Sequence, residues 1–542
     1  MSHQTDIVIV GSGFGGTLLA VILRQMGYSV AIVEKEDHPR FRIGESSTPI
    51  ADLILRDLSQ TYDLPWLMPL SRYGTWKSTH PEIRCGIKRG FSYYFHKRGL
   101  ALRPDSERER ELLVAASASN ERSDTQWYRA DTDQFFLSKA IDYGVQYFRH
   151  SDIVEATYSE RQGWTLVMRQ LRLEETQNST PSSNGTLRCN HLVDATGSSH
   201  FGDRFLNTTS DASDFQTHSS ALFTHLDGVP RWLDILKNSG FDTDPYPYDP
   251  DLSALHHLID EGWIWMLRFD NERLSIGLMF DRAGRESTRD GDAGSIVSAY
   301  PSLATLLSDG VIADPPGQWI RTERLQRLSL PAVGKGWMRL PYSVGFVDPM
   351  HSTGIAHTLT GVERVAAILD PGLAEGEAAR KRQRYGQNVV DELRLIDRLV
   401  AGAYQTRHRP ALFEAWLSWY FVLAIDYEQF RLAGIKPDSF LQSDRTDLTT
   451  MVMDSYERLQ DVLQSTSNHP EPTQTKTSHP TPTHSKRSPT ELIHPESTHS
   501  KLSPTEQAWI QRVRNQIKPY NKAGLLDPAA NRLYKHTAVD GL

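Results

Sequence analysis

The sequence predicts an α/β protein: a parallel, helix-covered sheet at the N-terminus, interleaved with a mixed or antiparallel sheet and followed by a C-terminal helical region. Three observations predict it. A strand, glycine turn, helix and second strand follow one another without a break between Asp6 and Glu34. Strand-like runs recur between residues 73 and 102. From 377 to 463 the apolar spacing turns helical.

Asp6 to Val10 is a β-branched run suited to a buried parallel strand. Gly11-Ser-Gly13-Phe14-Gly-Gly16 follows at once and matches G-x-G-x-x-G. Thr17 to Met26 has helical apolar spacing, Gly27 stops it, and Tyr28 to Val33 forms the second strand, ending on Glu34. Each glycine has its own reason: Gly11 for the tight turn, Gly13 for the approach of a pyrophosphate to the backbone, Gly16 for close packing of helix on strand. A phosphate then meets the free N–H groups and positive dipole end of the helix. Glu34 lies 21 residues beyond Gly13, close to the roughly 20 expected of an acid that binds a ribose hydroxyl. Dinucleotide binding is therefore expected here, the alternative being a plain glycine-rich turn.

Composition excludes several function classes. The chain has 542 residues and a net charge of -8 with no long basic stripe, which argues against nucleic acid as a partner. Two cysteines, Cys85 and Cys189, are too few for a disulfide framework or a cysteine-built metal site and fit a reducing cytoplasm. No basic segment leads into an apolar one at the N-terminus, and the most apolar late stretch, Trp416 to Ile425, is far shorter than a bilayer span. A cytoplasmic protein without a membrane partner is expected.

The segment from His38 to Pro49 is rich in arginine and turn formers. Beside a nucleotide fold, Arg40 or Arg42 are candidates for phosphate or adenine contacts, against the alternative of solvated surface arginines. Residues 51–58 have helical spacing. The centre of the strand-like region is Gly86-Ile-Lys88-Arg-Gly90-Phe-Ser-Tyr93, where Lys88, Gly90 and Ser92 would share one face. Read alone, Lys88 is an ordinary exposed strand residue; turned inward, it would need a partner or a task. Residues 103–123 read as a loop or helix. Arg129 is placed to reach a cofactor, Asp133 to cap the helix over 135–143, and a hairpin is expected near 176–185. Leu192-Val-Asp194-Ala-Thr-Gly197 sets small residues where the chain must pass a nucleotide.

This order of motifs resembles the flavin-binding fold of the p-hydroxybenzoate hydroxylase type. Trp263-Ile-Trp265 resembles the W-x-W-x-I-P motif of flavin-dependent halogenases, with Leu267-Arg268 in place of Ile-Pro. Two tryptophans at alternate strand positions face one way and would wall the flavin from the substrate; read alone, the pair is core packing of a sheet. Gly345-Phe-Val-Asp348-Pro349-Met-His351-Ser352-Thr353-Gly354-Ile355 is similar to the G-F-x-D-P-x-x-S-x-G segment of that family, and Lys88-Arg-Gly90-Phe-Ser-Tyr93 to its K-x-G-x-x-F.

The resemblance implies a Rossmann-like FAD-binding domain over 1–72, 103–205 and 330–370, and a substrate-binding sheet over 73–102 and 206–329. Beyond these, a helical region over 371–463, a disordered linker over 464–505 and a tail over 506–542 are expected from composition. FAD, as FADH2, would be held by Gly11, Gly13, Phe14, Gly16, Glu34, Lys35, Arg40, Gly44, Glu45, Ser46, Arg129, Asp194, Gly197, Asp348, Pro349, Gly354 and Ile355. Chloride or bromide would bind at Ser352, Thr353 and Gly354, at the free N–H groups of a helix start. Hypohalous acid would pass beyond Trp263 and Trp265 to Lys88, which would hold it by hydrogen bond or as a chloramine and deliver it to an electron-rich aromatic carbon.

Departures bear on cofactor and substrate. Pro341-Tyr342 stand where the family has Gly-Asp, and His351 where free-tryptophan halogenases have a glutamate. His351 is a candidate to orient a phenol or indole or to accept a proton, the alternative being a helix cap. The implied partners are a separate NAD(P)H-dependent flavin reductase, since no second nucleotide fingerprint is visible, and a small aromatic substrate, free or carrier-bound; the chain would be a monomer or homodimer. A flavin monooxygenase and a non-catalytic flavin-fold protein remain as alternatives.

Overall fold

The computed structural model describes residues 2–171, 184–282, 292–467 and 502–535. The hairpin tip expected near 176–185 lies outside these up to residue 183, as does the linker from 468 to 501. The first sheet has six strands in the order Val333–Gly334, Trp337–Arg339, His191–Asp194, Ile7–Val10, Val30–Val33, Gln146–Phe148. All neighbours are parallel except the first pair. Its central strands are buried on both faces, which is why their residues are uniformly apolar instead of alternating. The helix Phe14–Gln25 covers one face and packs on the helices Arg129–Asp142 and Thr353–Ile368.

The second sheet is mixed. Its path is Val311–Ile312, Ser219–Asp227, Leu274–Asp281, Gly262–Arg268, Ala254–Ile259, Gly90–Phe95, Glu111–Ala115 and Leu533–Tyr534, with Ile320–Arg321 also on Ser219–Asp227. One of its faces joins the main core; the other holds a separate core around Trp232, Tyr94 and Tyr300. The long helices Glu375–Thr406 and Pro410–Leu432 pack as a pair beside it. Among the described residues, no helix is long and apolar enough to cross a membrane.

Several expectations are corrected. Tyr73–Thr79 is a short helix, not a strand, and buries Trp76 edge-on against Trp127. Within 103–123, Glu111–Ala115 is a fully buried strand between Gly90–Phe95 and the C-terminal pair Leu533–Tyr534; the charge of Glu111 is met by Arg108 and by Tyr246. Lys88, Gly90 and Ser92 do not share a face of one strand. The chain changes partners at Arg89, whose N–H turns to the Leu252 carbonyl, so Cys85–Lys88 pairs with Asp124–Trp127 in a sheet of its own. The helix Thr446–Ser467 runs past residue 464, where the linker was expected to begin. Beyond the linker, Pro504–Ile517 is a helix with a Ser503/Glu506 capping box.

Candidate active site

A cavity of about 790 Å³ lies between the two sheets, within the size range of cofactor sites. The glycine turn forms one end. Gly11 sits at φ +106°, and a Cβ there would stand 2.5 Å from the Ala195 carbonyl oxygen; a Cβ on Gly16 would stand 2.3 Å from the Gly11 carbonyl oxygen. Only glycine fits either position. Gly13 faces open space, with nothing nearer to its missing Cβ than Arg129 Nη2 at 3.9 Å. That is the cradle a pyrophosphate needs, at the start of a helix whose first N–H groups are free.

Around it, Glu34 Oε2 accepts from the Ser12 N–H at 2.9 Å, from Ser12 Oγ at 2.8 Å and from Arg40 Nη2 at 3.0 Å. Burial works to raise the Glu34 carboxyl, but Arg40 and these donors hold it at about 2, ionised near neutral pH. Arg40 thus answers Glu34 while lining the cavity, with its Nε and Nη1 lacking hydrogen-bond partners among the described residues. Asp133 does not cap its helix. It lies one turn in and holds Arg129 by two hydrogen bonds of 2.9 and 2.8 Å, while Arg129 Nη1 donates to the Ile43 and Gly44 carbonyls and its guanidinium covers the Phe14 ring at 4.8 Å. Lys35, Glu45, Ser46, Gly197, Pro349, Gly354 and Ile355 also line the cavity. Asp194, expected beside them, is turned away and fully buried. Arg339 Nε donates to it at 3.1 Å across neighbouring parallel strands, and Thr196 satisfies its other oxygen.

At the far end, Ser352 stands just before the helix Thr353–Ile368 at φ +52°, a left-handed conformation costly for a residue with a Cβ. Its Oγ donates to Ser46 Oγ at 3.0 Å, and its own side chain leaves the helix's first N–H groups uncapped. Ser352 and Gly354 line the cavity; Thr353 is buried behind them. Tyr342 also lines it, its ring 3.3 Å from where a Cβ of Gly197 would stand and beneath the Arg327 guanidinium at 4.8 Å.

Trp263 and Trp265 form part of the same wall, with ring centroids 6.2 Å apart. The Trp265 ring lies across Gly277 on the next strand, where a Cβ would come within 2.1 Å of it. Trp263 Nε1 donates to the Tyr404 hydroxyl at 2.9 Å, and that hydroxyl donates to Asp348 Oδ2 at 2.9 Å. Asp348 also accepts from Ser219 Oγ and from the Met350 N–H, and burial pushes it up to about 7. Asp348 therefore does not line the cavity; it acts on it by fixing Trp263.

Lys88 is fully buried and does not line the cavity. Its ammonium donates to the Ser47 carbonyl and lies 4.1 Å from the Phe91 ring centroid. Aromatic contacts connect it to the cavity wall: Phe91 stacks on His256 at 6.1 Å, and His256 meets Trp263 at 5.1 Å. His351 stacks on Tyr420 at 4.5 Å and 10°, and Tyr420 meets Phe91 edge-on at 6.0 Å. His351 is no helix cap. Neither of its ring nitrogens has a well-formed hydrogen bond among the described residues, and burial lowers it to about 4, leaving it neutral. The aromatic residues of helix Pro410–Leu432 divide: Phe413, Tyr420 and Phe421 pack on strand Gly90–Phe95, whereas Trp416 packs on Trp509 of the C-terminal helix. Sequence reasoning missed Tyr404 and His256, which carry no local motif. Among the described residues, no cluster of His, Cys, Asp and Glu is placed to hold a metal.

Residues 9–66 match the family model of an NAD(P)-binding Rossmann-like domain. The chain is 27% identical over 402 residues to monodechloroaminopyrrolnitrin halogenase PrnC of Pseudomonas fluorescens, spanning 72% of this chain and 66% of that protein, slightly under two thirds. It is 27% identical over 435 residues to tetracycline 7-halogenase of Kitasatospora aureofaciens, spanning 76% of this chain and 73% of that protein. Its backbone is similar to the crystal structure of halogenase PltM, with a TM-score of 0.75 over 98% of this chain and 99% of that one at 21% identity. It is also similar to the brominase Bmp2, with a TM-score of 0.60 over 84% and 99% of the two chains at 19% identity.

Proposed function

We infer that the chain is a flavin-dependent halogenase, and propose that it uses reduced FAD, O2 and chloride or bromide to halogenate an electron-rich aromatic small molecule at Lys88. The observation that carries this reading is a separation. Gly11, Gly13, Ser352, Gly354 and both tryptophans share one cavity, while the buried Lys88 lies behind Trp263, His256 and Phe91. The cavity fits the cofactor: a glycine cradle for the pyrophosphate, an ionised Glu34 for a ribose hydroxyl, Arg129 over Phe14, and free helix N–H groups for a halide. When bound, the reduced flavin with O2 supplies the oxidising power that turns halide into hypohalous acid. Trp263 and Trp265 exclude substrate from the cofactor, and Lys88 donates a hydrogen bond to the hypohalous oxygen or takes the halogen on its nitrogen. His351, neutral and without a firm partner, accepts the substrate hydroxyl or N–H against Tyr420. Tyr342 covers the position of the acid that the family sets beside the flavin side chain, so the cradle and Arg129 take a larger share of FAD binding.

A separate NAD(P)H-dependent reductase supplies the reduced flavin in this reading. The test is to supply reduced FAD, oxygen and bromide with a panel of phenols, pyrroles and indoles and to weigh the products. Halogen gain supports the proposal, oxygen gain points to a hydroxylase, and unchanged acceptors point to a binding protein.

A further inference from the structure

Lys88 stands directly opposite Asp124 in the two-stranded sheet Cys85–Lys88 with Asp124–Trp127, and both side chains are buried. Two more buried carboxyls face the pair: Asp52 from the helix Pro49–Thr61 and Glu428 from the helix Pro410–Leu432. Two acids thus act on the Lys88 amine, and Glu428 acts on those two. Asp52 Oδ1 and Asp124 Oδ2 have no hydrogen-bond partner among the described residues, a costly arrangement for ionised carboxyls. Burial pushes all three acids up, and the Lys88 charge draws Asp124 and Asp52 back down; burial lowers Lys88, and Asp124 and Asp52 push it up again. Protons in such a cluster belong to the group as a whole. The other titratable neighbours add no negative charge near neutral pH. His256 is lowered by burial, and Tyr420 is raised by burial and by Glu428 and Asp124; Arg72 draws Asp52 down.

Asp52 differs from the other two acids in bordering a groove as well as the cluster. Though only 3% exposed, it is among the residues that line an open groove of about 660 Å³, with Arg56, Ser59, Gln60, Arg72 and Thr75. We propose that Asp124 and Asp52 are positioning residues that keep Lys88 charged, and that its proton exchanges with water through the Asp52 groove. The inference rests on the reading of Lys88 as the residue that delivers the halogen, and it gives that delivery a proton balance. As the carbon–halogen bond forms and the halogen–oxygen bond breaks, the Lys88 ammonium protonates the departing hydroxyl to water. The proton lost by the aromatic carbon returns to the amine. A neutral amine at the outset cannot make the first transfer.

The test titrates Lys88 in the full chain carrying [ε-13C]lysine, its resonance identified as the one lost in Lys88→Met. Asp124→Asn and Asp52→Asn are expected to lower its midpoint by about one pH unit or more, as removal of a nearby opposite charge does. Halogenated product per flavin oxidised then fails at a correspondingly lower pH on its alkaline side, and Asp124→Glu restores it. A midpoint unmoved in both variants overturns the proposal, as does a moved midpoint that the product profile does not follow. If Asp124→Asn does not fold, Asp52→Asn at the groove gives the same readout. Product from Lys88→Met would instead remove the underlying reading of Lys88, and the titration would still report on the acids.

Discussion

The cofactor cavity and the Lys88 cluster are built on opposite principles. The cavity is made of backbone: glycines without side chains, uncapped helix N–H groups, and charged residues already answered by one another, as Glu34 is by Arg40 and Asp133 by Arg129. The Lys88 cluster is made of side chains from separate segments, closed by aromatic rings, with buried polar atoms left open at Asp52, Asp124 and His351. A backbone frame whose carboxylates are paired within it, with Arg40 N–H groups still free to donate, suits a large ligand that arrives whole. Unsatisfied groups in a closed space suit a small reactive species and a proton, and they persist against their cost in stability because the surrounding fold imposes them.

That contrast can be broken from the cavity side first. Gly11→Ala sets a Cβ against the Ala195 carbonyl at a φ that disfavours it; a loss on the order of 3 kcal/mol is expected, with FAD binding abolished as read by flavin fluorescence and the titration of Lys88 unchanged. Glu34→Gln sharpens the claim that the frame's carboxylates are paired within it. The Glu34 carboxyl at about 2 lies below its ordinary value, so its contribution is full above that value and is lost as pH falls toward 2. Glu34 should therefore add about 3 kcal/mol to the weakening of urea unfolding below about pH 5, and the variant should weaken by that much less, Glu392, also held at about 2, supplying the remainder. Tyr404→Phe probes the boundary between the two regions. It leaves the buried Trp263 N–H without a partner and Asp348 Oδ2 with Ser219 alone, costing about 1–3 kcal/mol in thermal unfolding, and product per flavin oxidised should fall as the Trp263 wall loosens.

The two regions were unequally legible. Gly11 and Gly16 are demanded by contacts within a few residues of chain or with the adjoining strand, so the fingerprint is local and readable, and Trp263 and Trp265 show themselves by a period of two. Tyr404 joins Asp348 and Trp263 across 56 and 141 residues, and nothing in its neighbourhood marks it. Asp124 became visible only when the chain switched partners at Arg89 and set Lys88 in a sheet of its own. Asp194 misled for a related reason: its position after a buried strand resembles a cofactor contact, but Arg339 on the next strand claims the carboxylate. The strand expected at Tyr73–Thr79 failed because one large residue, Trp76, anchors a single helical turn face where alternation would have needed two.

The central claim is that the halogen is oxidised in one region and delivered in the other. Its most direct measurement is the ratio of halogenated product to flavin oxidised in Lys88→Ala, with reduced FAD, oxygen, bromide and a phenol that the parent accepts. The account predicts a ratio near zero while flavin oxidation continues; a ratio equal to the parent's would contradict it.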